Sequence, residues 1–174
     1  MSPLLRRGAY LASVTPVAAT AVVTSLSNPD GAYRRWARLL AWKLGDPQPD
    51  SRACGRLALL VHAVTSVLVG MVGWILLAVI GLMIARGALY GLVDGGPYTN
   101  AWGGPSRAGA WLAHFAISIP VAAVAVLGIA GVSRLHATMT QRLHGAPTPW
   151  WVAPMVFLVC GLAALFLVGW LQQV

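Results

Sequence analysis

Residues 57–85 read LALLVHAVTSVLVGMVGWILLAVIGLMIA and carry no formal charge until Arg86 follows them. A helix of about 20 apolar residues is long enough to cross the hydrocarbon core of a bilayer. This stretch exceeds that length, so we expect it to tilt or to extend beyond the membrane. The sequence therefore predicts an integral membrane protein.

The composition of the whole chain agrees with this prediction. Of its 174 residues 58% are hydrophobic and 9% are charged, and its mean hydropathy is +0.73. About a quarter of the residues in a soluble domain are charged. The net charge of +8 lies mostly in the gaps between apolar stretches, where the inner surface of a membrane favours it. We therefore expect the lipid bilayer, and not nucleic acid, as the partner of the basic residues.

Two further stretches, 108–133 and 150–171, are long and apolar enough to be spans. Pro120 lies within the first, and a membrane helix tolerates proline when neighbouring groups satisfy the freed carbonyl. Trp150 and Trp151 open the second, as aromatic anchors do at an interface. Together with 57–85 they predict an all-α membrane protein, a bundle of three or four transmembrane helices.

Residues 10–26 are the fourth apolar stretch, and their interpretation stays open. They are rich in Ala, Val, Thr and Ser and contain Pro16. We interpret them as a span, with a re-entrant or surface-lying segment as the alternative. A cleaved secretory signal is disfavoured, because cleavage would export the six basic residues between Arg34 and Arg56 against the positive-inside bias.

The same bias predicts the orientation. The basic residues from Arg34 to Arg56 belong in the cytoplasm, as do Arg134 and Arg142, and the loop 86–107 belongs outside. The side on which the chain begins depends on whether residues 10–26 cross. We expect a multi-pass protein of the cell membrane.

Residues 33–44 predict a basic amphipathic helix that rests in the membrane interface. Its cations are Arg34, Arg35, Arg38 and Lys43, and its apolar side, expected among the acyl chains, holds Trp36, Leu39, Leu40 and Leu44. Gly45 and the proline two positions later predict its end. The helix either docks a cytoplasmic partner or only anchors the topology, and the sequence leaves both interpretations open.

The outside loop concentrates turn-forming residues around a few chemically active side chains. Asp94 and Arg107 are expected to pair with each other or to contact a ligand, with Tyr98 and Trp102 as its walls. His114, near the outer end of the next span, completes this candidate ligand or partner loop. The alternative is an ordered connector whose aromatic side chains sit at the interface.

The spacing of the histidines and cysteines predicts neither a metal site nor a catalytic group. His62 and His114 lie too far apart along their helices to share a metal, so we expect both to serve helix packing. His136 and His144 are expected on a solvated helix face that continues the span 108–133. Cys54 and Cys160 have neither disulfide nor metal-site spacing. With no nucleophilic triad, zinc spacing or nucleotide-binding loop, we expect no enzyme activity, no metal and no cofactor.

A family resemblance extends over roughly residues 30–146. The order is a basic helix ending in Gly45-Asp46-Pro47, a long span, a loop reading GGPYTNAWGGPSRAGAW, and a span that runs into RLHATMTQRLHG. This order resembles the sensor domain at the N-terminus of many actinobacterial two-component histidine kinases, which also occurs free-standing. The resemblance implies an actinobacterial source and a membrane-embedded module for signal input. No kinase follows, and the further span 150–171 stands where a signalling helix would continue.

These observations predict a signal-input protein that acts through helix contacts with a partner membrane protein or a second copy. The alternative is a non-catalytic accessory subunit of a larger transporter or respiratory complex. A small pore is the least favoured interpretation, because the spans show no continuous polar stripe to line a water path.

Overall fold

The computed structural model describes residues 2–46 and 54–172. Helix accounts for 81% of the structure, and no strand occurs in those two ranges, so the predicted all-α fold is confirmed. The helices are α1 (Pro3–Ser27), α2 (Pro29–Leu44), α3 (Arg56–Met83), α4 (Tyr90–Val93), α5 (Arg107–Arg142) and α6 (Val152–Leu171). A π-helical turn, Ile84–Ala88, follows α3.

Four helical segments are long and apolar enough to cross a bilayer. They are Pro3–Ser27, Arg56–Ala88, Arg107–Arg142 and Val152–Gly169. The predictions of apolar helices at 10–26, 57–85, 108–133 and 150–171 are confirmed, apart from one or two residues at the ends of the last. Many large apolar side chains are exposed on these helices, among them Val124, Phe157 and Leu165. Such a surface suits hydrocarbon rather than water, and the fold indicates a multi-pass membrane protein.

Several hydroxyl groups of α1 are satisfied within the helix. The hydroxyl of Ser13 donates to the carbonyl of Ala9, and that of Thr24 donates to the carbonyl of Thr20, each at 2.8 Å. Thr20 likewise donates to the carbonyl of Val17 at 2.9 Å. Hydroxyl groups bonded in this way cost little in an apolar surrounding. The Thr- and Ser-rich composition is therefore compatible with a helix that crosses a bilayer.

A single residue, Asn28, separates α1 from α2 and caps both. Its backbone N–H donates to the carbonyl of Thr24 at the end of α1, and its side chain accepts from the N–H of Gly31 in the first turn of α2. Pro29 occupies the first position of α2, where its fixed φ suits a helix start. Gly45 ends α2 with a φ of 84°, the left-handed conformation that glycine adopts without cost.

The chain divides into two compact units. Unit 1 comprises Met1–Trp74 and Ala130–Val174, and unit 2 comprises Ile75–Ile129. In unit 1 the buried residues of α1, which include Tyr10, Val14 and Ala18, recur at helical spacing and form one stripe. Unit 2 contains the end of α3, the π-helical turn, α4, the loop that follows it and the first part of α5.

Glycines of α3 allow α1 to pack closely against it in unit 1. A Cβ at Gly70 would clash with the side chain of Thr15 and would lie 3.1 Å from the backbone nitrogen of Thr15. A Cβ at Gly73 would lie 3.0 Å from the Cβ of Leu11. Small residues at such contacts let membrane helices approach closely. Leu11 and Val14 are fully buried there.

Gly70→Ala should therefore destabilise the protein, although alanine favours a helix over glycine by about 1 kcal/mol. The added methyl group forces α1 away from α3, and overpacking of this kind costs about 1–3 kcal/mol. Thermal unfolding of the purified protein in mild detergent measures the effect.

Gly81→Ala is the matched control, because a Cβ at Gly81 meets no atom within 4 Å. It gains the same helix propensity without a clash, so its melting temperature should equal or exceed that of the wild type. Equal melting temperatures for the two variants would contradict the close packing of α1 on α3.

Candidate functional site

The end of α3 and the segment after it lie close to α5 in unit 2 because two glycines face larger side chains. A Cβ at Gly87 would clash with the Oγ of Ser118, and a Cβ at Gly91 would clash with the indole of Trp111. The indole nitrogen of Trp111 also donates to the carbonyl of Ala88 at 3.2 Å. Gly87 lies in the π-helical turn, a rare element that is frequent at functional sites.

A cavity of about 420 Å³ opens beside this contact. Ligand pockets usually enclose roughly 300–1,000 Å³. Its lining combines aromatic, polar and apolar side chains with one cation. The lining residues are Met83, Arg86, Gly87, Tyr90, Asn100, Ala101, Trp102, His114, Ile117 and Ser118.

His114 and Tyr90 form the aromatic wall of the cavity. Their rings stack with centroids 3.9 Å apart and planes 8° from parallel. The Nδ1 of His114 lies 2.8 Å from the carbonyl oxygen of Ala110, so Nδ1 carries the proton in this hydrogen bond. The Nε2 atom is then the ring nitrogen that remains for a ligand.

The predicted pairing of Asp94 with Arg107 is wrong. The Arg107 guanidinium donates to the carbonyl of Gly91, and the Asp94 carboxylate accepts from the backbone N–H of Gly96 at 3.0 Å. The charges that act on the pKa of Asp94 come from Arg86 and His114, not from Arg107. Arg107 therefore fastens the start of α5 to α4 and does not line the cavity.

Hydrogen bonds in the loop perturb two acidic groups outside the spans. The N–H of Gly96 and the hydroxyl of Tyr90 lower the pKa of Asp94. Burial raises the pKa of Tyr90, and its hydrogen bond to Asp94 raises it further. At neutral pH Asp94 is therefore ionised and Tyr90 carries its proton.

The structure places the residues of the predicted ligand loop in different surroundings. Trp102 and His114 line the cavity, whereas Tyr98 does not. The hydroxyl of Tyr98 donates to the backbone carbonyl of Asp94 at 2.6 Å, and its ring lies 6.5 Å from that of Tyr90. Asp94 borders a smaller neighbouring depression of about 280 Å³ together with Arg86 and Tyr90.

Sequence reasoning missed Arg86 and Tyr90. Hydropathy marks Arg86 only as the charge that ends a span, and Tyr90 lies in the loop segment 86–107. The signal was present, because residues four apart in a helix lie on one face. The spacing therefore predicts that Arg86, a cation, and Tyr90, a phenol, share one helical face just beyond residues 57–85.

Unit 1 contains a second polar feature, a buried network around His136. The imidazole of His136 is fully buried; its Nδ1 lies 2.7 Å from the hydroxyl of Tyr10 and its Nε2 lies 3.0 Å from the Oγ of Ser66. A neutral imidazole has one N–H, so it donates to one of these hydroxyls and accepts from the other. The three residues join α1, α3 and α5.

The prediction of a solvated helix face at 134–145 is wrong. The helix does continue to Arg142, but His136, Thr140 and Leu143 are buried in unit 1. The hydroxyl of Thr140 donates to the carbonyl of His136 at 2.8 Å, and its oxygen lies 3.4 Å from the Nε2 of His62. His144 bonds through its Nδ1 to the hydroxyl of Tyr33.

The apolar face of α2 packs on protein, and this corrects the prediction that it faces acyl chains. Trp36 and Leu40 are fully buried. The indole of Trp36 meets the ring of His62 edge-on at 4.8 Å and that of His136 at 5.6 Å. Leu44, by contrast, is 41% exposed.

The four cations of α2 separate into two sets. Arg34 and Arg38 are exposed. Arg35 is partly buried and donates to the Oγ1 of Thr24 at 2.8 Å. Lys43 points inward, donates to the carbonyl of Ser133 and lies 4.5 Å from the centre of the Tyr10 ring. The exposed basic face of α2 is therefore smaller than the sequence predicted.

Burial, and to a smaller extent the charge of Arg7, lowers the pKa of Lys43 to about 8. Removing an ammonium group from water disfavours its charged form, and a nearby like charge acts in the same direction. Lys43, which joins α2 to Ser133 and Tyr10, thus titrates near pH 8.

Three buried polar atoms of unit 1 have no hydrogen-bond partner in the part of the chain that the structure describes. They are the Oγ1 of Thr15, the Nε1 of Trp36 and the Oγ of Ser133. Within residues 2–46 and 54–172, no three His, Cys, Asp or Glu side chains come together as metal ligands.

No protein-family model, curated protein or solved structure matches this chain. The resemblance of residues 30–146 to the sensor domain of histidine kinases therefore stays a prediction. The class that the fold defines is a multi-pass all-helical membrane protein.

The pKa of Lys43 predicts a specific pH dependence. An unfolded chain holds its lysine protons up to about pH 10.5, whereas folded Lys43 loses its proton near pH 8. Between these values the unfolded state binds more protons, so the contribution of Lys43 to stability rises with pH. Melting temperatures of the wild type minus those of Lys43→Met, measured in detergent from pH 6.5 to 10, should increase above pH 8 and stay level below pH 7.

Arg38→Met provides the control, because Arg38 is exposed on the other side of α2. Its melting profile should run parallel to that of the wild type. A parallel profile for Lys43→Met would show that Lys43 titrates as it does in water.

Proposed function

We propose that this protein receives a signal in the cell membrane: a small ligand binds in the cavity of unit 2, and α2 passes the change to a partner protein. The observation that carries the proposal is the cavity itself, walled by Tyr90, Trp102 and His114. An apolar cavity with a few convergent polar groups is the usual form of a small-molecule site.

The exposure of Trp102 supports ligand entry from the loop. Its side chain is 71% exposed although it lines the cavity. A ligand that enters would cover apolar indole surface, which contributes roughly 25 cal/mol per Å². By the positive-inside bias this loop faces outside, where an extracellular or envelope signal arrives.

The contacts of α2 support its role as the output element. Its inner face makes specific polar and aromatic contacts besides its apolar packing: Tyr33 on His144, Trp36 on His62, and Lys43 on Ser133. Such contacts form or break as units, so they favour two discrete positions over continuous deformation. α3 and α5 each contribute residues to both units. A displacement of either helix at the cavity is therefore transmitted along its own backbone to residues of unit 1.

The exposed arginines of α2 are the proposed partner contact. Arg34 and Arg38 present a positive surface on the predicted cytoplasmic side. An acidic surface on a second membrane protein would be complementary to it.

Trp102→Ala should abolish the response if the proposal holds, because it removes a wall of the cavity. The transcript profile of a strain carrying this variant should match that of a deletion strain under envelope stress. Trp150→Ala is the matched control, since Trp150 is 86% exposed and does not line the cavity, and it should behave as the wild type. Immunoblotting of membranes confirms equal protein levels.

A normal response from Trp102→Ala at normal protein level would contradict the proposal. Gentle detergent extraction then tests the alternative of an accessory subunit. A large complex that contains this chain in fixed stoichiometry, together with a normal Trp102→Ala response, would favour that alternative.

Thiol labelling tests the orientation on which the proposal depends. In a background with Cys54 and Cys160 replaced by serine, Ser106→Cys should react with a membrane-impermeant maleimide on intact cells. Arg38→Cys should react only after permeabilisation. Labelling of Arg38→Cys on intact cells would place α2 outside and remove its role as an output element.

A further inference from the structure

We infer that the cavity of unit 2 takes a small monoanion with a planar apolar body, of the aromatic carboxylate class, and that Arg86 binds its carboxylate. This inference rests on the proposed function and specifies its ligand. The argument begins with the charge of the cavity and proceeds to its walls.

Arg86 is the only formally charged residue that lines the cavity. Its guanidinium makes no hydrogen bond or ion pair within residues 2–46 and 54–172, whereas Arg107 of the same loop is tied to a carbonyl. A guanidinium presents five N–H donors in a planar fork that matches a carboxylate. The cavity thus holds at its edge a guanidinium whose N–H donors make no hydrogen bond within the described residues, although its charge acts on Asp94.

Asp94 limits the charge that the ligand can carry. It borders the neighbouring depression with Arg86 but does not line the cavity. Its carboxylate, ionised at neutral pH, partly balances the charge of Arg86. One guanidinium matches one carboxylate, and the nearby negative charge of Asp94 disfavours a second negative charge on the ligand, as in a phosphate monoester.

The walls of the cavity suit a planar body. The stacked pair of Tyr90 and His114 presents flat ring surface, and Trp102 adds an indole. Met83 and Ile117 supply apolar contact. Aromatic rings favour offset or edge-to-face contact with another ring, by about 0.5–1.5 kcal/mol beyond area burial.

Two acceptors complete the site. The hydroxyl of Ser118 donates to the carbonyl of Phe115 at 2.8 Å, so its lone pairs remain for a ligand. The Nε2 of His114 is likewise an acceptor in the tautomer whose single proton is on Nδ1. A ring hydroxyl on the ligand would donate to one of them, and 4-hydroxybenzoate therefore serves as the probe.

Calorimetric titration of the full chain in phosphatidylcholine nanodiscs tests the inference. The probes are 4-hydroxybenzoate, its neutral isostere 4-hydroxybenzamide, and the cation 4-hydroxybenzylamine. We expect 4-hydroxybenzoate to bind at least about tenfold more tightly than the amide, which corresponds to one charge-assisted contact, and the amine to bind most weakly.

Arg86→Gln should reduce the affinity for 4-hydroxybenzoate to that for the amide, without changing the affinity for the amide. Arg86→Lys should restore part of the difference, because it keeps the charge and loses the fork. Arg134→Gln, an exposed arginine of unit 1, should bind as the wild type. Circular dichroism of each variant verifies that helix content is unchanged.

Equal binding of the three probes, or no binding of any of them, would overturn the assignment of an aromatic anion. Loss of probe binding when phosphatidylglycerol replaces phosphatidylcholine would also overturn it, since the anion at Arg86 would then be a lipid headgroup. The proposed function fails separately, when Trp102→Ala leaves the cellular response intact.

Discussion

The imidazole of His136 is held from both sides by hydroxyl groups, Tyr10 at 2.7 Å and Ser66 at 3.0 Å. In an apolar interior an unpaired polar group costs several kcal/mol, and lipid offers it no partner. This histidine therefore fixes which residues of α1, α3 and α5 face one another. In this register the rings of His62 and His136 lie side by side, and Trp36 of α2 packs against both. The arrangement of the helices in unit 1 therefore depends on the two hydrogen bonds of the His136 imidazole.

The spans were predictable because hydropathy is additive along the chain. Residues 57–85 contain no charged side chain, and no soluble fold buries 29 such residues in one straight helix as readily as a bilayer does. The end of α2 was predictable for a similar reason, since Gly45 provides a local, left-handed stop. Signals of this kind depend on residues that are near one another in sequence.

The side-chain partners were not predictable, because they depend on residues far apart in sequence. Tyr10 and His136 are separated by 126 positions, and Lys43 and the carbonyl of Ser133 by 90. The pattern of α2 shows that one face is apolar but does not show whether lipid or protein covers it. For Trp36 and Leu40 the answer is protein. In the loop, opposite charges at Asp94 and Arg107 suggested a pair, yet backbone groups of Gly96 and Gly91 lie closer. Arg86 and Tyr90 are four residues apart, and this spacing places two residues of a helix on one face.

Asn28 couples α1 and α2 mechanically. Because one residue ends the first helix and starts the second, no flexible tether lies between them. Gly31 leaves room for the Asn28 side chain that closes the joint. A change in the angle between α1 and α2 at Asn28 would break both of its capping hydrogen bonds, at a cost of about 1 kcal/mol for each cap. The two helices are therefore expected to move as one body rather than to bend at Asn28.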